Sequence, residues 1–298
     1  FASSTDNWLA GWSWLDCAGK MAGGTCAAGL PTSPFATLSE NVVALGGDLT
    51  SDESLVSSKS YLLGSQLFVK SGVTLSVPAG TSFYALPSVA GGVAPAVVIE
   101  QGGRIMATGT ASEPVTMTTI LSEGAMKSTA TVTTDTSSPT GTAVALGETG
   151  KWGGLIILGK APTSAAAYST NFVEGISGKP YGGTDPADSS GLLRYVRVWH
   201  GGANIGADNE INGITFGGVG SGTVVDHCEV AFNADDGFEF FGGTVNVKYL
   251  SVLFGKDDSF DTDEGYQGKA QFLFTMLGDS GNHGTEMDSK TGGNLDSQ

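Results

Sequence analysis

The sequence predicts an all-β solenoid, a stack of short-stranded coils behind an N-terminal cap segment, and three observations predict it. The first is a repeat. Asp235-Asp236-Gly237-Phe238-Glu239-Phe240 aligns over Asp257-Asp258-Ser259-Phe260-Asp261-Thr262, and that over Asn282-His283-Gly284-Thr285-Glu286-Met287. The offsets are 22 and 25 residues, and apolar runs (VVDHCEVAF, VKYLSVLF, AQFLFTML) accompany the copies. A unit of that length cannot bury its own apolar face, so copies must stack. The second is glycine: 46 residues, set between apolar alternations and without a collagen period, mark tight corners. The third is the lack of any long segment with apolar residues at i, i+3, i+4 and i+7.

Composition narrows the function classes. The formal charge of −16, with charged residues at only 15%, argues against nucleic acid and anionic membrane surfaces. No apolar run is long enough to span a membrane. Phe1 in place of an initiator Met suggests processing, and the setting expected is secreted or cell-surface.

Residues 1–40 differ from the rest. Trp8, Trp12 and Leu15 share one helical face, and Cys17 and Cys26 flank AGKMAGGT. This segment reads as a cap over the open end of the solenoid, with a Cys17–Cys26 disulfide suited to an oxidising compartment. Residues 41–298 form the solenoid. From 41 to 119, apolar alternation is broken by Gly72, Pro78-Ala79-Gly80 and Gly102-Gly103. Loop insertions are expected near 121–150, where Ser, Thr, Ala and Gly dominate, and near 164–191. Between them KWGGLIILGKAP imitates a phosphate-binding loop. Its LIIL is a buried strand, however, and Ala161 stands where that loop needs Ser or Thr. From Leu192 onward strands are dense.

The segments KWGGLIILGKAP, YGGTDPADSSGLLRYVRV, DNEINGITFGGVGSGTVVDHCEV, ADDGFEFFGGTVNVK, DDSFDTDEGYQGKAQFLF and GNHGTEMDS carry a resemblance. From Lys151 to Asp288, and more weakly from Leu67, the chain resembles a family of secreted or surface-exposed right-handed parallel β-helix proteins, widespread in bacteria. More distantly the fold is similar to that of pectate lyases and polygalacturonases. The resemblance implies the right-handed parallel β-helix and no particular activity.

Strand alternation sets the expected direction of the repeat's side chains. Phe238, Phe240, Phe260, Thr262, Thr285 and Met287 should face the core. Asp235, Gly237, Glu239, Asp257, Ser259, Asp261, Asn282, Gly284 and Glu286 should face solvent. Parallel rungs about 4.8 Å apart then stack Glu239, Asp261 and Glu286 into a column of like charges. A cation, basic side chains or protonation of the middle group should offset the repulsion.

Three readings follow. Calcium would draw on Asp257, Asp258, Asp261, Asp263 and Glu264, oxygen ligands within eight positions, although neither an EF-hand nor a GGxGxD repeat is present. Polysaccharide hydrolysis would use Asp235, Asp236, Glu239, Asp257, Asp258 and Asp261 as paired acids, with His283 as a proton shuttle. The third reading is a solvated acidic wall. His200 and His227 are expected to be structural, since His227 and Cys228 point to opposite faces and cannot share a metal. Asp208-Asn209-Glu210 and Asn212 read as a polar corner. The function expected is an extracellular structural, adhesive or surface-assembly module, calcium-stabilised and contacting surface glycans. The alternatives are a hydrolase, and a filament of copies joined through the uncapped C-terminal end.

Overall fold

The computed structural model describes residues 7–24, 26–27, 29–30, 42–88, 92–120, 148–164, 171–203 and 211–288. Among the described residues seventeen strands pair, and every strand pairing is parallel. The pairs resolve into three long faces, so the chain is a parallel β-helix. The first face stacks the leading halves of β1 (Val42–Leu49) and β3 (Ser60–Val69), then β5 (Ser82–Ala85) and β8 (Val115–Thr119). The trailing halves of β10 (Gly191–Trp199), β12 (Val224–Ala231), β14 (Asn246–Leu253) and β16 (Ala270–Met276) complete it. The second face stacks the trailing halves of β1 and β3, then β6 (Val97–Ile99), β9 (Leu155–Leu158) and β11 (Ile214–Gly217). It ends with β13 (Phe238–Phe241), β15 (Phe260–Asp263) and β17 (Glu286–Met287). The third stacks β2 (Glu53–Ser54), β4 (Thr74–Pro78), β7 (Arg104–Thr108) and the leading halves of β10, β12, β14 and β16.

The repeat register is the one the alignment predicts. Phe238 lies opposite Phe260, Glu239 opposite Asp261, and Asp261 opposite Glu286. The core runs the length of the stack, from Leu63, Val69 and Leu75 through Ile157, Phe216 and Phe238 to Val252 and Phe260. Phe238, Phe240 and Phe260 are buried as alternation requires, and Cys228 is a free core thiol. Met287 stays 66% exposed, because β17 has no described rung above it.

From β10 onward the corners between the third and first faces are built without glycine, whereas Gly80 and Gly109 stand at earlier ones. Tyr195, His227, Tyr249 and Phe272 sit there with φ of 47°, 54°, 57° and 59°. Their rings stack with centroids 4.4, 4.4 and 4.6 Å apart. A second ladder, His200, Phe232 and Phe254, marks the far end of the first face at φ of 63°, 57° and 56°. Left-handed backbone is costly for bulky residues, and ring stacking offsets part of that cost. His227 and His200 each stand within one of these ring ladders.

Glycine is required where the chain turns into the second face. A Cβ on Gly237 would lie 2.6 Å from both the Ser259 carbonyl and Val252 Cγ2, and one on Gly213 would lie 2.4 Å from Val230 Cγ1. Gly237 and Ser259, expected to face solvent, are buried. They lie in the turn before the strand, where alternation does not apply.

Among the described residues, two of the three outer faces are covered. The N-terminal segment holds a one-turn helix, α1 (Trp14–Cys17), capped by Ser13, whose hydroxyl accepts from the Asp16 N–H. The Cys17–Cys26 disulfide is present. The described contacts of this segment fall on a flank. Leu9, Trp14, Leu15 and Ala18 pack on Trp199, Ala231, Phe232 and Leu253, outside the first face. The expected end cap is, in its described part, a strap over that flank.

Two buried polar side chains pin the strap. Arg197 donates to the Trp12 carbonyl (3.0 Å) and to Thr116 Oγ1 (2.7 and 3.0 Å). Glu229 accepts from the Trp14 N–H (2.8 Å), Trp199 Nε1 (3.1 Å) and Ser251 Oγ (3.2 Å). Residues 171–183 cover the second face, with Val173, Ile176 and Tyr181 packed on Val98, Ile156 and Leu158. Most of the insertion expected at 121–150 lies outside the described residues.

Candidate acidic site

The outer row of the second face changes character along the stack. It reads Phe68, Val98, Ile156, Thr215, Glu239, Asp261 and Glu286, each opposite the next on adjacent rungs. The apolar part lies under the 171–183 loop. The acidic part continues past it toward the C-terminal rungs.

A second row runs beside it through the turns. Ile214 pairs with Phe238, so Asn212-Gly213-Ile214-Thr215-Phe216 stacks on Asp236-Gly237-Phe238-Glu239-Phe240. Asn212, Asp236, Asp258 and His283 therefore occupy one turn position in four successive rungs. Their side chains link the turns. Asp236 Oδ1 accepts the Asp258 N–H at 3.0 Å. Asp258, only 1% exposed, accepts the His283 N–H at 2.6 Å and faces His283 Nδ1 at 3.0 Å. Buried backbone donors in turns need such acceptors. Two of the expected catalytic acids thus have a structural task, and His283 is tied to Asp258 on an exposed turn.

The remaining candidates separate. One carboxylate oxygen each from Asp236, Glu239 and Asp261 lie within 4.8 Å of one another. Asp235, Asp236 and Asp257 form a neighbouring group, and Asp258, His283 and Glu286 a third. Asp263 and Glu264 do not join them, which splits the calcium set expected from the sequence. Asp263 Oδ1 accepts the Glu264 N–H. Glu264 has φ of 52° and turns away to accept from Tyr181 OH (3.0 Å) and Asn171 Nδ2 (2.8 Å). That latch closes the 171–183 loop onto the stack.

Glu239 and Asp261, expected on an open outer face, are only partly exposed, and Asp258 is buried. The neighbouring turns and the loop enclose them. The electrostatics follow. Burial, reinforced by Asp235 and Asp261, pushes Asp236 up to about 9. Burial and the charges of Asp236 and Asp261 hold Glu239 well above the usual carboxylate range. Asp261 rises to about 6 through burial, although a hydrogen bond with Glu239 works the other way. Glu286 rises to about 7 through its hydrogen bond to Asp258 and that group's charge. Protonation is thus one means of offsetting the repulsion, and it extends beyond the middle group.

Asn212 is the neighbour that sequence reasoning misplaced. It is 4% exposed, and its Nδ2 donates to Glu239 Oε2. The signal was present, since NGITF aligns with DGFEF at an offset of 24 residues. Asp208 to Glu210 of the same expected corner lie outside the described residues. Tyr181 and Glu174 come from the loop, and their charge or dipole reaches Glu239. No periodic signal announces them.

A family model for a pectate-lyase-like β-helix domain matches residues 47–131 and 125–298. No curated protein and no solved structure matches the chain. With coils, register and core all of that kind, the chain belongs to the pectate-lyase-like β-helix domain family.

Proposed function

We propose that this chain is an extracellular structural and adhesive module, calcium-stabilised, that contacts surface glycans through its third face. One observation carries the reading: the strap covers the first outer face and the 171–183 loop the second. Among the described residues, no hydrophobic cluster lies over the third. That face presents two rows at rung spacing. One runs Met106, Leu192, Val224 and Asn246; the other runs Thr108, Arg194, Asp226, Lys248 and Gln271. A groove of about 390 Å³ opens there, lined by Val224, Asp226, Asn246, Lys248, Lys269 and Gln271 among others. Flexible donors and acceptors beside an apolar strip suit the hydroxyls and flat faces of an extended sugar polymer. The Cys17–Cys26 disulfide supports a secreted or cell-surface location, where such bonds persist. No described helix is long and apolar enough to cross a membrane.

Glycan capture tests the reading. The protein is passed over a panel of neutral and acidic polysaccharides, alongside an Arg194→Ala/Lys248→Ala variant. The expected outcome is retention by at least one polysaccharide and weaker binding by the variant, about tenfold per charge-assisted hydrogen bond lost. No retention, or equal retention by the variant, rejects it. Self-association through the last described rung, where Leu273 and Met287 are exposed, is the rival partner. Light scattering across concentration decides it. The hydrolase alternative rests on the Glu239–Asp261 pair, and product release abolished by Glu239→Gln would favour it.

A further inference from the structure

We propose that the Cys17–Cys26 disulfide is a redox-active site for thiol reductants, with Arg197 holding the Cys17 sulfur as the leaving thiolate. The inference rests neither on glycan contact nor on calcium.

A fixed cation reaches one of the two sulfurs. Arg197 Nη1 lies 3.6 Å from Cys17 Sγ, within hydrogen-bond reach of sulfur. The same nitrogen donates to the Trp12 carbonyl at 3.0 Å, while Nε and Nη2 both donate to Thr116 Oγ1. The guanidinium is thus held by the stack and by the strap together, and it is only 3% exposed. Burial lowers Arg197 to about 10, so it keeps its charge at neutral pH. The acids nearby are already engaged. Glu229 is the register partner of Arg197 but accepts from Trp14, Trp199 and Ser251, and Asp16 accepts the Gly11 N–H. A disulfide sulfur is a weak acceptor for a buried charge, and a thiolate in its place pairs with that charge.

The chemistry follows from that asymmetry. A cation beside a sulfur stabilises its thiolate, and the more stable thiolate leaves faster. It also favours the reduced form, which makes the disulfide more oxidising. Both cysteines are half-buried, and Gly24 and Ala27 beside Cys26 are exposed. A reductant thiolate attacks Cys26 Sγ, the S–S bond breaks, and its electron pair leaves on Cys17 Sγ against Arg197. A second reductant thiolate attacks the reductant sulfur of the mixed disulfide and releases Cys26, which takes up a proton. Two reductant thiols are oxidised to one disulfide, losing two electrons and two protons. The chain takes both electrons and one proton, and the other proton goes to solvent. Arg197 is a positioning residue here. The apolar packing of Leu9, Trp14, Leu15 and Ala18 keeps the reduced strap in place, so the bond can re-form.

The test equilibrates the whole chain in glutathione buffers, traps free thiols by alkylation and assigns them by mass spectrometry. Wild type should be reduced in millimolar reduced glutathione and re-formed by oxidised glutathione. In the reduced chain, the pH midpoint for alkylation of Cys17 should lie at least about one unit below that of Cys26. Arg197→Met should slow reduction at least about tenfold and raise the Cys17 midpoint, with circular dichroism checking its fold. Arg197→Lys, which keeps the charge, should recover part of both. The two wild-type readings need no variant, so a misfolded Arg197→Met does not protect the proposal. It is overturned if the disulfide survives millimolar reduced glutathione or does not re-form. Coincident midpoints for the two cysteines overturn it as well, as does a folded Arg197→Met that is reduced as fast as wild type.

Discussion

At the residue scale, Glu229 shows how one side chain can make the fold sensitive to pH. It is fully buried and accepts three hydrogen bonds under the strap, with Arg197 directly opposite on the adjacent rung. Burial raises it to about 7 from an ordinary 4.5, despite the Trp14 N–H and the Arg197 charge pulling it down. Between those two values the folded chain holds a proton that the unfolded chain has lost. Stability from this group is therefore complete at the acid end and falls as pH rises through the window, by up to about 3 kcal/mol. Urea unfolding of wild type and Glu229→Gln at several pH values from 4 to 8 checks it. The difference between the two curves should slope in that window and flatten above it. Asp236, Glu239 and Asp261 tilt both curves equally and cancel. Neither Arg197 nor Glu229 stood out in the sequence. They meet the strap across separations of 185 and 215 residues, and no local pattern encodes that encounter.

At the element scale, the corner decides whether a coil can close. His227 turns from the third face to the first in left-handed backbone, with its ring between Tyr195 and Tyr249. A β-branched residue is disfavoured there, while Asn tolerates it. His227→Val should lower stability by about 1–3 kcal/mol, and His227→Asn by distinctly less, in chemical denaturation followed by circular dichroism. Equal losses would mean that ring stacking, not backbone conformation, is what the position supplies. The strands themselves were legible, since Phe238, Phe240 and Phe260 alternate inward as read. The corners were only half legible. Glycine marks the turn into the second face, as at Gly213 and Gly237, but aromatic residues mark the other, where composition suggests a strand.

At the scale of the whole molecule, the charge of −16 is distributed unevenly: carboxylates cluster where the second face leaves its covering loop, and Arg194 and Lys248 lie on the third face. Self-repulsion of that size destabilises a compact state and is screened by salt, whose Debye length falls to about 3 Å near molar concentration. Melting temperature should rise with sodium chloride in chelator, and rise less once calcium is bound. A salt-independent melt would mean that the carboxylates are already neutralised by protons. The sequence by itself determined the coil, its register and its core. A repeat of 22 to 25 residues with alternating aromatics is local information, and stacking copies it from rung to rung. Only the tertiary structure decided which faces are covered and which acids converge. The strap and the 171–183 loop carry no period, so their docking depends on burying apolar surface far away in sequence. That docking drew Glu264 out of the expected calcium set through Tyr181 and Asn171, while the stacking of turns tied Asp258 to His283 and set Asn212 beside Glu239.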